Sequence, residues 1–298
     1  MIRKVLILGH TGFIGSRLET FFRTREPGLD LVGRSTAAVD LRNWEDVKSL
    51  AALCDLDTAV LMCAAIKRQC RDDLQAFSDN LQMTMNVCRM LQDRPVGRFV
   101  FFSSTAVYGE DVHNPRITEQ TPVHPRSYYG MVKYASEYLF RKALEAHDKA
   151  CRALLVLRPP LIYGPRDRGR TYGPSGFIMA ALKGEPILLW GDGTERRDFV
   201  FIDDLLELVY RLTFGISDGI LNIASGQSYT FREVTEIVFR LAGGEVPVTS
   251  RPRTKTKADH GFCTTALIRL VPGFSFTPLE EGIRRTVEAE RQMLLAAR

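Results

Sequence analysis

A chain of 298 residues, 45% hydrophobic and 25% charged, has room for one large domain or two modest ones and the balance of an ordinary globular protein. Its formal charge of +5 argues for anionic small molecules at least as readily as for nucleic acid, whose binders concentrate much more basic charge, and the six cysteines and five histidines lack the spacing of a zinc site or a disulfide framework. The run MIRKVLILGH is too short for a secretory signal and charges interrupt every later apolar run before membrane-spanning length, so a soluble protein of the reducing cytoplasm is expected, with no metal, nucleic-acid or membrane partner.

Along the chain, apolar runs of strand length (KVLILG, LDLVG, TAVLMCAA, RFVFFSS and ALLVLRPP) alternate with amphipathic stretches such as FIGSRLETFFR and LQMTMNVCRMLQ. This is the rhythm of βαβ units, and it predicts an α/β fold with a Rossmann-type doubly wound parallel sheet. After about residue 164 the rhythm loosens into the Gly, Pro and Arg-rich YGPRDRGRTYGPSG, and only FVFIDDLLELVYRL and LNIASG again read as sheet-and-helix pieces. The expected division is a first domain of 1–164 plus about 197–223, and a smaller C-terminal substrate lobe of about 165–196 plus 224–298.

The first βα turn reads ILGHTGFIGSR and sets Gly9, Gly12 and Gly15 between strand and helix. A backbone that turns tightly and approaches a pyrophosphate needs residues without Cβ, and the helix N-terminus then supplies N–H donors and a positive dipole end. The spacing is GxxGxxG, and a bound dinucleotide is expected. Cofactor choice turns on the end of the second strand, where an acid binds the adenosine ribose 2′-hydroxyl and a cation accommodates a 2′-phosphate. Here DLVGRST puts Gly33 in the acid's place, followed by Arg34 and Ser35. NADP is therefore expected, with NAD as the alternative.

Further on, SYYGMVK sets two tyrosines ahead of a lysine. Side chains four apart share a helix face while those five apart diverge, so Tyr129, and not Tyr128, can meet Lys133. An ammonium beside a phenol favours the phenolate and draws its pKa from about 10 towards neutrality, which makes an acid/base device.

In this order, GHTGFIG, CAAI, SDNLQMTMNV, FFSSTAVYG, SYYGMVKYASE, LRPPLIYGPR, GDGTERRDFVFIDDL and LNIASG resemble the extended short-chain dehydrogenase/reductases, the NAD-dependent epimerase/dehydratases. The resemblance covers nearly the whole chain. It implies an oxidoreductase or epimerase acting on a nucleotide-diphosphate sugar, with Tyr129 as catalytic tyrosine, Lys133 as its partner and Ser104 as the catalytic hydroxyl. It further implies cofactor contacts from Gly9, Gly12, Phe13, Ile14, Gly15, Arg34, Ser35, Asp40, Leu41, Ala64, Ala65, Tyr129, Lys133, Pro159 and Leu161. Substrate contacts fall on Asn80, Thr105, Arg197 and Arg251. A homodimer through the helices carrying Met85 and Tyr129 is implied as well. The family's Arg-x-Gly-Asp pattern has become RPRT at Arg251, and Val132 stands where Ser or Thr usually precedes the lysine.

The reaction follows by comparison with the family's subgroups. Dehydratases carry Asp-Glu directly after the catalytic hydroxyl and decarboxylases a glutamate there, whereas this chain has Thr105-Ala106. The cysteine used in double epimerisation is missing from the same stretch. What remains is hydride transfer at carbon 4 of the sugar. A 4-ketoreductase is the main expectation, since Gly33-Arg34-Ser35 favours NADPH, and a 4-epimerase of the UDP-glucose 4-epimerase kind is the alternative.

Overall fold

The five strand-length runs of the N-terminal half assemble, with a sixth segment, into one sheet. In the computed structural model, which describes residues 1–145, 153–167, 172–215, 218–253 and 256–296, the sheet order is Gly219–Asn222, Leu154–Arg158, Arg98–Phe102, Thr58–Met62, Lys4–Leu8, Asp30–Arg34. The pairings among the five longer strands are parallel. Strand order reverses between the first strand and the third, and in open α/β sheets a ligand crevice forms beyond the strand ends at such a switch point. The loop beginning at Gly9 and the segment beginning at Cys63 both leave the sheet there.

The chain divides into two compact units. The first comprises Met1–Glu110, Pro122–Arg158 and Leu206–Leu221. Its four inner strands are buried on both faces, as Val, Ile, Leu and Phe-rich parallel strands must be, with Leu6, Leu8, Val60, Met62, Phe99, Phe101 and Val156 in one core cluster. Phe140 joins that cluster with its ring 4.6 Å from Phe99 and 4.9 Å from Phe101, centroid to centroid. This anchors the helix Tyr128–Glu145 to the sheet. Tyr129 lies about three turns before Phe140 on the same helix face.

The second unit comprises Asp111–Thr121, Pro159–Leu205 and Asn222–Arg298. It holds a three-stranded sheet ordered Ser228–Thr230, Arg196–Phe201, Leu161–Tyr163 and two parallel strand pairs, Ile187–Trp190 with Val248–Arg251 and Asn114–Ile117 with His260–Phe262. Buried Asp198 organises it. The carboxylate accepts from the Ser225 amide at 3.1 Å, the Ser225 hydroxyl at 3.0 Å and the Gly226 amide at 2.8 Å, while burial pushes its pKa up to about 6. This division differs from the sequence expectation at two places. Leu161–Tyr163 and Arg196–Phe201 pair with each other in the second unit, and 111–121 joins them because its strand pairs with one almost 150 residues further on.

Among the described residues no helix is long and apolar enough to cross a membrane, and the five described cysteines are free. Cys151, residues 168–171 of the Gly, Pro and Arg-rich stretch, and 254–255 of the basic run lie outside the described residues.

Candidate active site

The fourth strand, Arg98–Phe102, runs out into Ser103 and Ser104, and a single 3₁₀ turn, Thr105–Tyr108, follows. Ser104 caps that turn, its hydroxyl accepting from the Ala106 amide at 3.1 Å. The helix Tyr128–Glu145 packs directly on it: a Cβ at Gly130 would stand 2.7 Å from the Ala106 carbonyl oxygen. This close approach sets the Ser104 hydroxyl near enough to the Tyr129 hydroxyl to draw its pKa down. Lys133 Nζ lies 5.6 Å from the Tyr129 ring centroid and donates to the Phe102 carbonyl at 2.6 Å. Tyr128 instead turns outward, with its ring edge-on to Phe77. The four-residue spacing thus selects between the two tyrosines, and Ser104, Tyr129 and Lys133 meet.

The electrostatics differ from the expectation of a phenol near neutrality. Burial pushes Tyr129 up to about 12, with the neighbouring Ser104 hydroxyl pulling down and the charge of Glu110 pushing further up. Burial likewise lowers Lys133 to about 8, opposed by Cys63 and Glu137. The physical reason is that loss of water disfavours the charged form of each group, and at this separation the ammonium does not outweigh it.

The helix start is fixed by contacts from distant segments. Ser127 Oγ accepts from the Gly130 amide at 3.0 Å and donates to Glu110 Oε1 at 2.7 Å. Asp72 Oδ1 accepts from the Tyr129 amide at 2.9 Å. Two first-turn donors that the helix cannot satisfy internally thereby find partners. Arg68 ties the loop to the same place, 2.9 Å from Glu110 and 3.7 Å from Asp72. One turn beyond Lys133, Glu137 forms a buried ion pair with Arg158, at 2.6 and 3.0 Å, and accepts from the Ser103 hydroxyl. Arg158 also donates to the Tyr108 hydroxyl at 2.8 Å. Ser103 is therefore committed to this network, which leaves Ser104 to Tyr129. Sequence reading missed Asp72, Glu110, Glu137 and Arg158; of these, Glu137 alone carried a local signal, its four-residue step from Lys133.

The glycine loop is shaped as a dinucleotide requires. Gly9 has φ +87°, and a Cβ there would meet the Ala64 amide nitrogen at 2.8 Å; one on Gly15 would meet the Gly9 carbonyl oxygen at 2.3 Å. Helix Phe13–Arg25 starts without a side-chain cap, so its first-turn amides, those of Phe13, Ile14 and Gly15, are available to a phosphate. These residues fit the cofactor. Ala64 and Ala65 follow the third strand, with Ala64 against Gly9. Arg34 is half-buried and its guanidinium donates to the Gly33 carbonyl at 3.0 Å; the Ser35 carbonyl accepts from the Ala38 and Val39 amides in a turn.

Four expected contact residues have their polar groups committed elsewhere. Asp40 pairs with Arg42 at 2.7 Å, and that hydrogen bond holds its carboxyl below the usual range. Leu41 is buried, its carbonyl accepting from Asn86 at 2.9 Å. Asn80 closes a ring with the Ile66 backbone, accepting from the amide at 2.8 Å and donating to the carbonyl at 3.1 Å. Its amide group is spent on shaping the loop after the third strand. In the second unit, Arg197 pairs with Glu195 at 2.8 Å and donates to the Ala258 carbonyl.

Thr105 opens the 3₁₀ turn half-buried. Pro159 is buried and Leu161 half-buried, both in the second unit. Arg251 lies on an exposed strand with its guanidinium 5.8 Å from the Trp190 ring centroid. Arg253, which sequence reading passed over, reaches Asp192 at 3.2 Å and Glu195 at 3.4 Å.

Residues 5–224 match the model of the NAD dependent epimerase/dehydratase family. The chain belongs to that family. This epimerase/dehydratase chain is 31% identical over 223 residues to the N-acetyl-alpha-D-glucosaminyl-diphospho-ditrans,octacis-undecaprenol 4-epimerase of Escherichia coli O157:H7, an alignment that spans 70% of the chain and 63% of the relative. It is 26% identical over 274 residues to UDP-glucuronic acid decarboxylase 4 of Arabidopsis thaliana, spanning 85% of the chain and 60% of that relative. Among solved structures it is similar to the Thermus thermophilus UDP-glucose 4-epimerase in complex with NAD, with a TM-score of 0.83, 27% identity and coverage of 97% of this chain and 99% of that one. This family member is thus an enzyme of the NAD-dependent epimerase/dehydratase type.

Proposed function

We propose that the chain is a 4-epimerase of a diphosphate-linked sugar, most simply a nucleotide sugar. The observation that carries this reading is the Ser104–Tyr129–Lys133 cluster beside a strand end that continues as Thr105-Ala106, where dehydratases and decarboxylases carry acids. In this mechanism a bound nicotinamide supplies the hydride acceptor and donor. Tyr129 takes the proton of the sugar 4-hydroxyl and returns it after the ring has presented its other face. With its pKa raised to about 12, Tyr129 rests protonated, ready as the acid; as the base it relies on the nearby ammonium of Lys133. The Ser104 hydroxyl, beside the phenol, shares charge developing on the sugar oxygen.

The relatives support epimerisation over the 4-ketoreductase expected from Gly33-Arg34-Ser35. Two of the three compared above are named 4-epimerases, one for a lipid-linked and one for a UDP-linked sugar, and an epimerase regenerates its cofactor every turnover. NAD supports the cycle, as the solved relative's complex suggests; a preference for NADP is the finer reading and rests on Arg34. The test is incubation with UDP-glucose, UDP-N-acetylglucosamine and an N-acetylglucosaminyl-diphosphopolyprenol, with product epimers followed by NMR. Interconversion of 4-epimers without net change in reduced cofactor is expected. Loss of one NADPH per 4-keto sugar, with no epimer formed, would make the protein a reductase.

The helices Leu74–Asp93 and Tyr128–Glu145 pack together, joined by a 2.8 Å hydrogen bond between Thr84 and Ser136. Outward they expose Leu74, Met85, Met131 and Tyr138. This apolar surface supports a homodimer. Sedimentation equilibrium is expected to give twice the chain mass, and Met85→Asp to shift it towards the monomer; a monomeric wild type at tens of micromolar would remove the proposal.

A further inference from the structure

His10 follows the first glycine of the loop and turns its ring onto the second strand. The amides of Gly9 and His10 both point at the Arg34 carbonyl, at 2.8 and 3.4 Å, which holds the imidazole over Gly33. A Cβ at Gly33 would stand 2.5 Å from His10 Cγ, 2.7 Å from Cδ2 and 2.9 Å from Cβ. Gly33 lies within the regular strand Asp30–Arg34, paired with Ile7, and its backbone is not in the left-handed region. Conformation therefore does not require a glycine here; contact with His10 does. Nor does the protein's own polar network account for the ring, because Nδ1 is buried without a hydrogen-bond partner. Position 33 is where an acidic side chain of a dinucleotide-binding domain would meet the adenosine ribose.

We infer that His10 and Gly33 are one cofactor-selectivity element: the imidazole occupies the space that the side chain of a ribose-binding acid would need, and Arg34, next along the strand, supplies the charge that admits a 2′-phosphate. The element excludes an acid sterically before any question of charge arises. A single change at position 33 therefore cannot convert the site, and the two positions must change together. The inference rests on the dinucleotide-binding loop alone and is independent of the chemistry at the sugar.

The experiment titrates NADH and NADPH, by fluorescence, into the wild type, Gly33→Asp, His10→Gly and the double variant, and records thermal melts of each. The wild type is expected to bind NADPH at least roughly tenfold more tightly than NADH, the weight of one charge-assisted pair. Gly33→Asp alone is expected to weaken both cofactors and to lower Tm. Adding His10→Gly is expected to restore Tm and to reverse the preference in favour of NADH. A wild type that prefers NADH, a Gly33→Asp variant that gains NADH affinity with unchanged Tm, or single effects that simply add in the double variant would each overturn the inference. Because Tm reads the contact without any cofactor, a poorly folded single variant still leaves rescue by the second change as the deciding measurement.

Discussion

Tyr129→Phe is expected to lower kcat by roughly 10²- to 10⁴-fold, the usual worth of a positioned proton donor, while cofactor affinity changes little. The phenol lies beside Ser104 and has the Lys133 ammonium 5.6 Å from its ring centroid. Tyr128→Phe removes a hydroxyl from an exposed ring and is expected to change kcat less than about threefold, in keeping with the small effect of surface substitutions. Ser104→Ala falls between them, because the phenol keeps its place but loses the neighbouring hydroxyl that favours its ionised form. Ser103→Ala leaves this contact intact and acts on Glu137 instead. Comparable kcat losses in Tyr128→Phe and Tyr129→Phe would show that the helix-face assignment is wrong.

The second large effect is on stability. Arg158→Ala is expected to destabilise the fold by about 3–5 kcal/mol, as when one partner of a buried ion pair is removed. Both side chains are almost wholly buried, at 3% and 4% exposed, so the carboxylate of Glu137 would be left without water or counter-charge. Urea unfolding followed by circular dichroism measures it, and a loss below about 1 kcal/mol would mean that solvent reaches the pair. Replacing both partners, as Arg158→Met with Glu137→Leu, is expected to cost much less, because no charge then remains stranded. Activity separates the roles: Glu137 contributes to the field at Lys133, so the double variant is expected to be stable yet altered in its pH profile.

Local rules made the doubly wound sheet, the glycine loop and the choice between Tyr128 and Tyr129 legible, since each depends on residues a few positions apart: alternating apolar runs, glycines before a helix, and a four-residue step on one face. Ser104 was reached only through its place in FFSSTAVYG; the structure adds that Ser103 is held by Glu137. What stayed hidden depends on tertiary contacts. Asp72 meets the Tyr129 amide 57 positions away, and Arg158 meets Glu137 across the gap between a strand and a helix. Nothing in the sequence reveals that both ends of the Asn80 amide group bond to Ile66. The phenol's pKa was misjudged for a related reason: a sequence shows that a cation is near, but not how thoroughly both groups are removed from water.

The Asp72 contact has a consequence for motion. The carboxylate belongs to the segment after the third strand, yet it holds the backbone amide of Tyr129 itself, and Arg68 fastens the same segment to Glu110. Withdrawing this segment therefore uncaps the helix at the residue whose side chain is proposed to move the proton, so loop opening and fraying of the first helical turn become a single event.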